Sequence, residues 1–203
     1  MKSYDSSHIK GNVGEAITAT TLENLCDMKV VRNIILPRGN KYTEIDMIGI
    51  NEYGVFIIEN KNYNGYILGG VDTELWDIQY GDKEIYTMYN PIEQNKYHLR
   101  AFIDFLQDNG LYNIPIFNFV IFNNRVKGIY ISDDEHNVVF KLSDFIKYYK
   151  TLQFNKVLDD LTIKIISSIL CELSSYSEKI NLVNEIVRTI KCEKIQVSYF
   201  KED

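Results

Sequence analysis

Hydrophobic residues recur along the chain at two spacings, and the switches between them mark the elements. Between residues 11 and 27, Ala16, Ile17, Ala19, Leu22 and Leu25 follow a roughly helical repeat and predict a helix. Val30, Val31, Ile34, Ile35 and Leu36 predict a strand over 29–36, which Pro37 and the turn Arg38-Gly39-Asn40 end. Two strong strand patterns follow at 43–50 and 55–61, separated by Asn51-Glu52-Tyr53-Gly54. Gly65, Gly69 and Gly70 punctuate shorter strands running through Trp76 to Tyr86. Asn90-Pro91 opens a long helix, because proline suits a first helical turn, and Asn109-Gly110 closes it. The apolar run from Pro115 to Phe122 predicts a buried strand, and short strands are expected near Gly128–Ile131 and Val138–Phe140.

From Leu142 the texture changes. Helical patterns cover 142–151, 155–174 and 177–191, ahead of a strand-like Ile195–Phe200. The expected organisation is a core over 1–141 with a mostly helical extension over 142–203 packed on it. Ile180, Val183, Ile186, Val187 and Ile190 form an apolar stripe in that extension. Internal packing is one reading of the stripe; a homo-oligomer or partner-protein interface is the other.

The hairpin at 43–61 carries the chemistry. Taking 51–54 as its turn sets the register: Ile50 opposite Val55, Ile48 opposite Ile57, Asp46 opposite Glu59, and Glu44 opposite Lys61. Opposed residues project to one side of a sheet. Glu44, Asp46, Glu59 and Lys61 are therefore expected as a polar patch at one end of one face. Ile45, Met47, Phe56 and Ile58 make the other face apolar. A hairpin apolar on both sides is a buried element, and charges at its end need a reason to be there. Opposed β-carbons lie about 4.5–5.5 Å apart, so two carboxylates would repel unless protonated or bridged by a cation. A hard divalent ion such as Mg2+ takes oxygen ligands and keeps waters around it. Lys61 beside it would position the attacking water, or help deprotonate it, and offset charge building on a phosphate. The bland alternative is a solvated ladder of strand-edge charges. Spacing alone does not choose between the two, and a one-residue change in loop length would turn Asp46 to the wrong face.

Composition bounds this picture without sharpening it. The 203 residues, 45% hydrophobic and 25% charged, suit one globular domain or one domain with an appendage. No apolar stretch approaches the length of a bilayer span, so no membrane association is expected. Met1-Lys2-Ser3-Tyr4-Asp5 lacks the apolar run of a secretory leader. Cys26, Cys171 and Cys192 are odd in number and far apart, which speaks against a disulfide framework or a cysteine zinc site and for a cytoplasmic protein. His8, His98 and His136 are too scattered for a histidine metal site. The net charge of −6 argues against a protein that coats nucleic acid, although not against an enzyme that touches it locally.

Read with their neighbours, the hairpin residues resemble the nuclease-related (NERD) domain of the PD-(D/E)XK nuclease-like superfamily. The motifs that carry the likeness are Gly11-Asn12-Val13-Gly14-Glu15, then Glu44-Ile45-Asp46, then Gly54-Val55-Phe56-Ile57-Ile58-Glu59-Asn60-Lys61-Asn62 with Gly65 after it. Trp76 and Asn90-Pro91-Ile92-Glu93-Gln94-Asn95 complete the set, so the resemblance spans 8–125. It implies an α/β, restriction-endonuclease-like αβββαβ core, a mixed central sheet flanked by helices, with the metal and the phosphodiester at the hairpin end. By the same resemblance, Asp46 and Glu59 match the metal-binding acids, and the main-chain carbonyl of Asn60 completes that side. Lys61 matches the catalytic lysine, and Glu15 the helix acid that reaches the metal directly or through water. Gln94 matches a polar position facing the site or the nucleic-acid backbone. Ile45 stands where the wider superfamily often has proline, a departure normal for the NERD pattern.

The expectation is thus a Mg2+- or Mn2+-dependent nuclease, with DNA ahead of RNA as the substrate. Arg38 and Lys41 flank the acidic patch and are candidates for phosphate contact, although a solvated turn explains them equally well. The competing expectation is a catalytically silent, nuclease-derived module that binds nucleic acid or a partner protein in a repair or defence system.

Overall fold

The elements follow the expected order. In the computed structural model, which describes residues 6–39, 41–81, 84–134 and 138–175 and side chains from residue 13 onward, helix α1 (Ser6–Cys26) leads into β1 (Lys29–Arg38), β2 (Lys41–Asn51) and β3 (Gly54–Lys61). Then come β4 (Tyr66–Gly70), β5 (Leu75–Tyr80), β6 (Glu84–Tyr89), α2 (Pro91–Asp108) and β7 (Ile116–Phe122). The chain continues through β8 (Gly128–Ser132), β9 (Val139–Lys141) and α3 (Leu142–Thr151) to a helix over 160–175, here α4. A five-stranded sheet runs β1-β2-β3-β7-β9, and a four-stranded sheet runs β6-β5-β4-β8. Strands β1 to β3 are antiparallel, while β7 lies parallel to β3 and β9 parallel to β7. With α1 and α2 this is the αβββαβ core of a restriction-endonuclease-like fold, with β4, β5 and β6 inserted before α2.

Both faces of the large sheet are covered, as an apolar hairpin requires. On one face Ile48, Ile57, Ala101 and Phe102 share a cluster with Ile163, Ile166 and Leu170 of α4. On the other, Met47, Phe56 and Ile58 pack with Leu22 of α1 and Phe145 of α3. Removing each such aliphatic or aromatic side chain from water contributes about 1.5–3 kcal/mol, and β2 and β3 carry such side chains on both faces. Asn90 starts α2: its Oδ1 accepts the N–H groups of Ile92 and Glu93, as an N-cap should. Its Nδ2 donates to the carbonyls of Val71 and Thr73 at 2.9 and 2.7 Å, tying the helix start to the second sheet.

The β2–β3 register is the one the turn sets: Ile50 pairs with Val55, Ile48 with Ile57 and Met47 with Ile58. Gly54 is extended into positive φ (148°) at the turn. A β-carbon there would lie 2.5 Å from the carbonyl oxygen of Pro115, so the close strand approach needs glycine.

The expected division of faces fails at one point. Strict alternation puts Ile45 with Met47, yet Ile45 packs with Ile48, Ile50 and Ile57, and Met47 on the opposite face. Strand β1 shows the same slip, since Val31, Ile34 and Leu36 share one cluster. The cause is Asn33, which takes the left-handed conformation at φ 55°, a region asparagine tolerates better than most residues. The β1–β2 pairing skips this position, passing from Arg32–Met47 to Ile34–Ile45. Both strands change phase there, beside Asp46. Glu44 consequently does not face Lys61: it is exposed and pairs with Ile35 of β1.

Beyond the core, 142–151 is helical as expected, but the next helix starts late. Residues 152–159 are not helical, and Glu52 holds them: its carbonyl accepts the N–H groups of Val157 and Leu158, and its carboxylate meets Lys156 at 2.6 Å. Asp159 then caps α4 by accepting the Thr162 N–H at 2.7 Å. The helix expected over 177–191, its apolar stripe and the strand at Ile195–Phe200 lie outside the described residues, as does Cys192. No helix among the described residues is long and apolar enough to cross a membrane.

Candidate active site

The β2–β3 ladder stops at Met47 and Ile58, and beyond it the two strands part. Asp46 fills the opening. Its Oδ2 accepts the main-chain N–H of Asn60 at 2.8 Å. A side chain thus replaces the next rung of the ladder, and the two acids come together at the split.

From β3, alternate residues go to opposite helices. Asn60 faces α1, where its Oδ1 accepts the Thr18 hydroxyl at 2.9 Å. Glu59 and Lys61 face α2. Glu59 is 1% exposed; its Oε1 lies 2.5 Å from Lys61 Nζ, and its Oε2 lies 3.2 Å from His98 Nε2, without hydrogen-bond geometry. Lys61 Nζ also donates to Gln94 Oε1 at 3.0 Å. His98 Nδ1 is 2.7 Å from the Thr43 hydroxyl, and both residues are buried. The Thr43 contact orients the ring so that Nε2 lies on the side of Glu59.

The electrostatics follow from burial. Burial, then Glu59, pushes the Asp46 carboxyl up to about 8, against the pull of the Asn60 N–H and of Lys61. Burial acts on Glu59 in the same direction, but His98 and Lys61 outweigh it and hold Glu59 below the ordinary carboxylate value. For Lys61, burial favours the neutral amine, yet Glu59 and Asp46 raise it above the ordinary lysine value. A lysine so held supplies positive charge and a hydrogen-bond donor. Glu15 is half-buried on α1. Desolvation raises it, Arg32 draws it down, and Glu44 and Glu59 raise it further.

The structure therefore brings Asp46, Glu59, Lys61 and Gln94 together, with Glu15 within their electrostatic reach. Arg38 turns to α2, where it donates to the Tyr97 carbonyl at 2.7 Å and lies over the Tyr97 ring at 3.8 Å. Lys41 is exposed at the β1–β2 turn. Sequence reasoning missed Thr18, Thr43 and His98. His98 stands four residues after Gln94, on the same face of α2, a spacing that could have drawn notice. A groove of about 420 Å3, lined by Thr43, Tyr89, Gln94, Lys96, His98 and Arg100 among others, opens beside these residues. Another groove, about 580 Å3 around Cys26, Asn51 and Tyr149, lies at the other end of the hairpin and contains none of them.

The donor set suits a hard cation. Glu15 Oε2 and Glu59 Oε2 are buried oxygens with no hydrogen-bond donor, and three carboxylates repel across the split. Among the described residues, no three Asp, Glu, His or Cys side chains already surround one point at ligand spacing. Glu59 would have to exchange its contact with Lys61 for the ion.

An acid pair, a lysine and a glutamine at the split end of a central hairpin, on this core, define a nuclease-related domain. The chain belongs to that family: residues 10–123 match the profile of the nuclease-related domain (NERD). An uncharacterised protein of Bacillus anthracis is 30% identical over 152 residues, which cover 71% of this chain and 69% of that protein. The crystal structure of a protein of unknown function, AF1548, aligns with 82% of this chain and 97% of its own at 11% identity and a TM-score of 0.36.

Proposed function

We propose that this protein is a divalent-metal-dependent nuclease that hydrolyses phosphodiester bonds, in DNA before RNA. The observation that carries the reading is the split of β2 from β3, where Asp46 bonds the Asn60 N–H and Glu59 meets Lys61, beside the groove lined by Gln94 and His98. Asp46 and Glu59 would hold Mg2+ or Mn2+, with the Asn60 carbonyl and Glu15 completing the set. When bound, such an ion lowers the pKa of water and neutralises charge on a phosphoryl oxygen. The chain's own residues do the rest. Lys61 keeps its proton and holds the attacking water and a phosphate oxygen by charge. Gln94 fixes Lys61, and His98, itself fixed by Thr43, fixes Glu59. The water oxygen forms the new P–O bond as the ester oxygen leaves; one proton passes to solvent and one to the leaving group. In the test, purified protein with Mn2+ or Mg2+ nicks or degrades plasmid DNA, EDTA stops it, and Asp46→Ala does not cleave. Cleavage at the wild-type rate by Asp46→Ala would reject this site.

Outer contacts to ligating groups commonly contribute 10- to 100-fold to metal affinity or activity. His98→Ala is accordingly expected to weaken Mn2+ binding by about that factor, with Thr43→Val acting in the same direction. Isothermal calorimetry reads both, and unchanged affinity in both would remove His98 from the site.

One observation favours a second reading, a silent module: the Lys61 ammonium already neutralises Glu59. Calorimetry again separates the two, because a silent module takes up no Mn2+ while remaining folded.

A further inference from the structure

We infer that the outward end of the second sheet, next to the candidate site, is a track for unpaired nucleic acid, with Tyr66 and Tyr130 stacking on bases and Arg125, Lys127 and Lys141 holding phosphates. The inference rests on the nuclease reading and names the strand form of its substrate.

The chain leaves the site along this track. The carbonyl of Lys61 accepts the Asn123 N–H at 3.0 Å, and that of Gly65 accepts the Lys127 N–H at 2.9 Å. Segments 61–66 and 122–128 thus run side by side from β3 and β7 into β4 and β8. Arg125 is exposed and donates to Asn62 Oδ1 at 2.7 Å, one residue beyond Lys61. Lys127 is exposed, with its Nζ 5.8 Å from the centre of the Tyr66 ring. Lys141 Nζ reaches the Lys127 carbonyl at 3.2 Å. Lys141, from β9, therefore joins Arg125 and Lys127 of the β7–β8 connection, on a chain whose net charge is −6.

Register and glycine placement supply the stacking surface. In β4 and β8, Tyr66 pairs with Gly128 and Leu68 with Tyr130. Ile67 and Ile129 turn inward to the core around Trp76, which leaves Tyr66, Leu68 and Tyr130 outward. The two tyrosine rings lie 6.3 Å apart and 33° from parallel. A β-carbon on Gly128 would come within 2.8 Å of the Tyr130 ring and 3.0 Å of Tyr66. Both rings thus border Gly128 and remain accessible to solvent; Tyr130 is 61% exposed and Tyr66 38%. Any base has a π-face that can stack on such rings, provided it is not already paired within a duplex. A groove of about 440 Å3 borders Tyr130 and Lys141. Of the acids in its wall, Asp134 is bound to the N–H groups of Val138 and Val139, and Asp144 to Lys147. Asp77 is on the outward face too, but two strands from Tyr130, past Leu68.

The five residues from Lys61 to Tyr66 span at most about 17 Å, so one strand of a few nucleotides reaches both places. The test is fluorescence anisotropy in EDTA and low salt, with a labelled oligothymidylate of about 15 nucleotides and the same strand in duplex. The single strand should bind more tightly than the duplex. Tyr66→Ala and Tyr130→Ala should each weaken its binding about 5- to 150-fold, and Tyr→Phe at both positions should restore it. Arg125→Ala and Lys127→Ala should each reduce the slope of log affinity against log salt by about 0.7. Circular dichroism and melting temperature control for folding. Equal or tighter duplex binding, no binding of either probe, or affinity indifferent to the rings would overturn the inference. Cleavage is scored separately: ring-dependent binding without cleavage counts against the nuclease reading alone, and cleavage with ring-independent binding counts against the track alone.

Discussion

Asp46→Asn is expected to yield a protein that does not cleave DNA and yet melts higher than the wild type. Burial and the neighbouring Glu59 raise the folded-state pKa of Asp46 to about 8, from an ordinary value of 3.8. A group with a raised folded pKa favours folding at acid pH and loses that contribution as pH climbs through the folded value. The cost of Asp46 therefore grows between about pH 4 and pH 8 and is constant above that. An amide carries no charge to bury, and its oxygen can still accept the Asn60 N–H. On the order of 1–3 kcal/mol should be recovered at neutral pH, because coupling to Lys61 and Glu59 limits the gain. For a chain of this size that is about 2–12 °C in Tm. Differential scanning calorimetry from pH 4 to pH 9 reads it: the Asn variant should gain over wild type as pH rises and match it near pH 4. An equal or lower Tm at neutral pH would mean that the carboxylates are not crowded as described. A variant more stable than wild type and inactive also excludes misfolding as the reason for inactivity.

Lys61→Ala should be equally inactive and shift stability the other way. Lys61 is the close cation on Glu59, at 2.5 Å, and Glu59 is almost wholly buried. Removing one partner of a buried pair leaves the other charge uncompensated, at a cost of about 3–5 kcal/mol in known cases. The His98 contact softens this, so on the order of 3 kcal/mol is expected, or roughly 6–12 °C in Tm. Glu59 is held below the ordinary carboxylate value in part by Lys61, so the deficit should be full at neutral pH and shrink in acid as Glu59 takes up a proton. Loss of a donor aimed at developing charge costs turnover about 100- to 1,000-fold. The two variants make an internal control: both should abolish cleavage while moving Tm in opposite directions. Melting curves moving the same way would show that the acid pair and the lysine do not form one electrostatic unit.

The site is held by elements of unequal firmness. Asp46, Glu59 and Lys61 ride on β2 and β3, whose apolar neighbours are buried on both faces. Gln94 and His98 depend on α2, whose start is fixed by Asn90 through its cap and its bonds to the 71–73 turn. The inserted β4, β5 and β6 thus help to set the angle at which α2 crosses the site, besides presenting the tyrosines of the proposed track.

Much of this was legible in the sequence, because it depends on local rules. Strand period and the turn at 51–54 fix the hairpin register, since both are properties of the backbone near one bend. Asn90-Pro91 starts α2 by capping chemistry that needs no distant partner. Ordered motifs at Glu15, Asp46, Glu59, Lys61 and Gln94 indicate the family. Tertiary structure alone decided the rest. Asn33 adopts a left-handed turn inside a strand and reverses the faces of Ile45 and Glu44, a backbone choice that no hydrophobic pattern records. His98 meets Glu59, and Thr43 meets His98, only when α2 lies across β2 and β3, and Glu52 delays the start of α4 only because residues 152–159 return to the hairpin. Lys141 joins Arg125 and Lys127 only because β9 pairs with β7. Alternation and capping act over a few neighbouring residues, whereas the partner of a buried charge is set by which distant element packs against it.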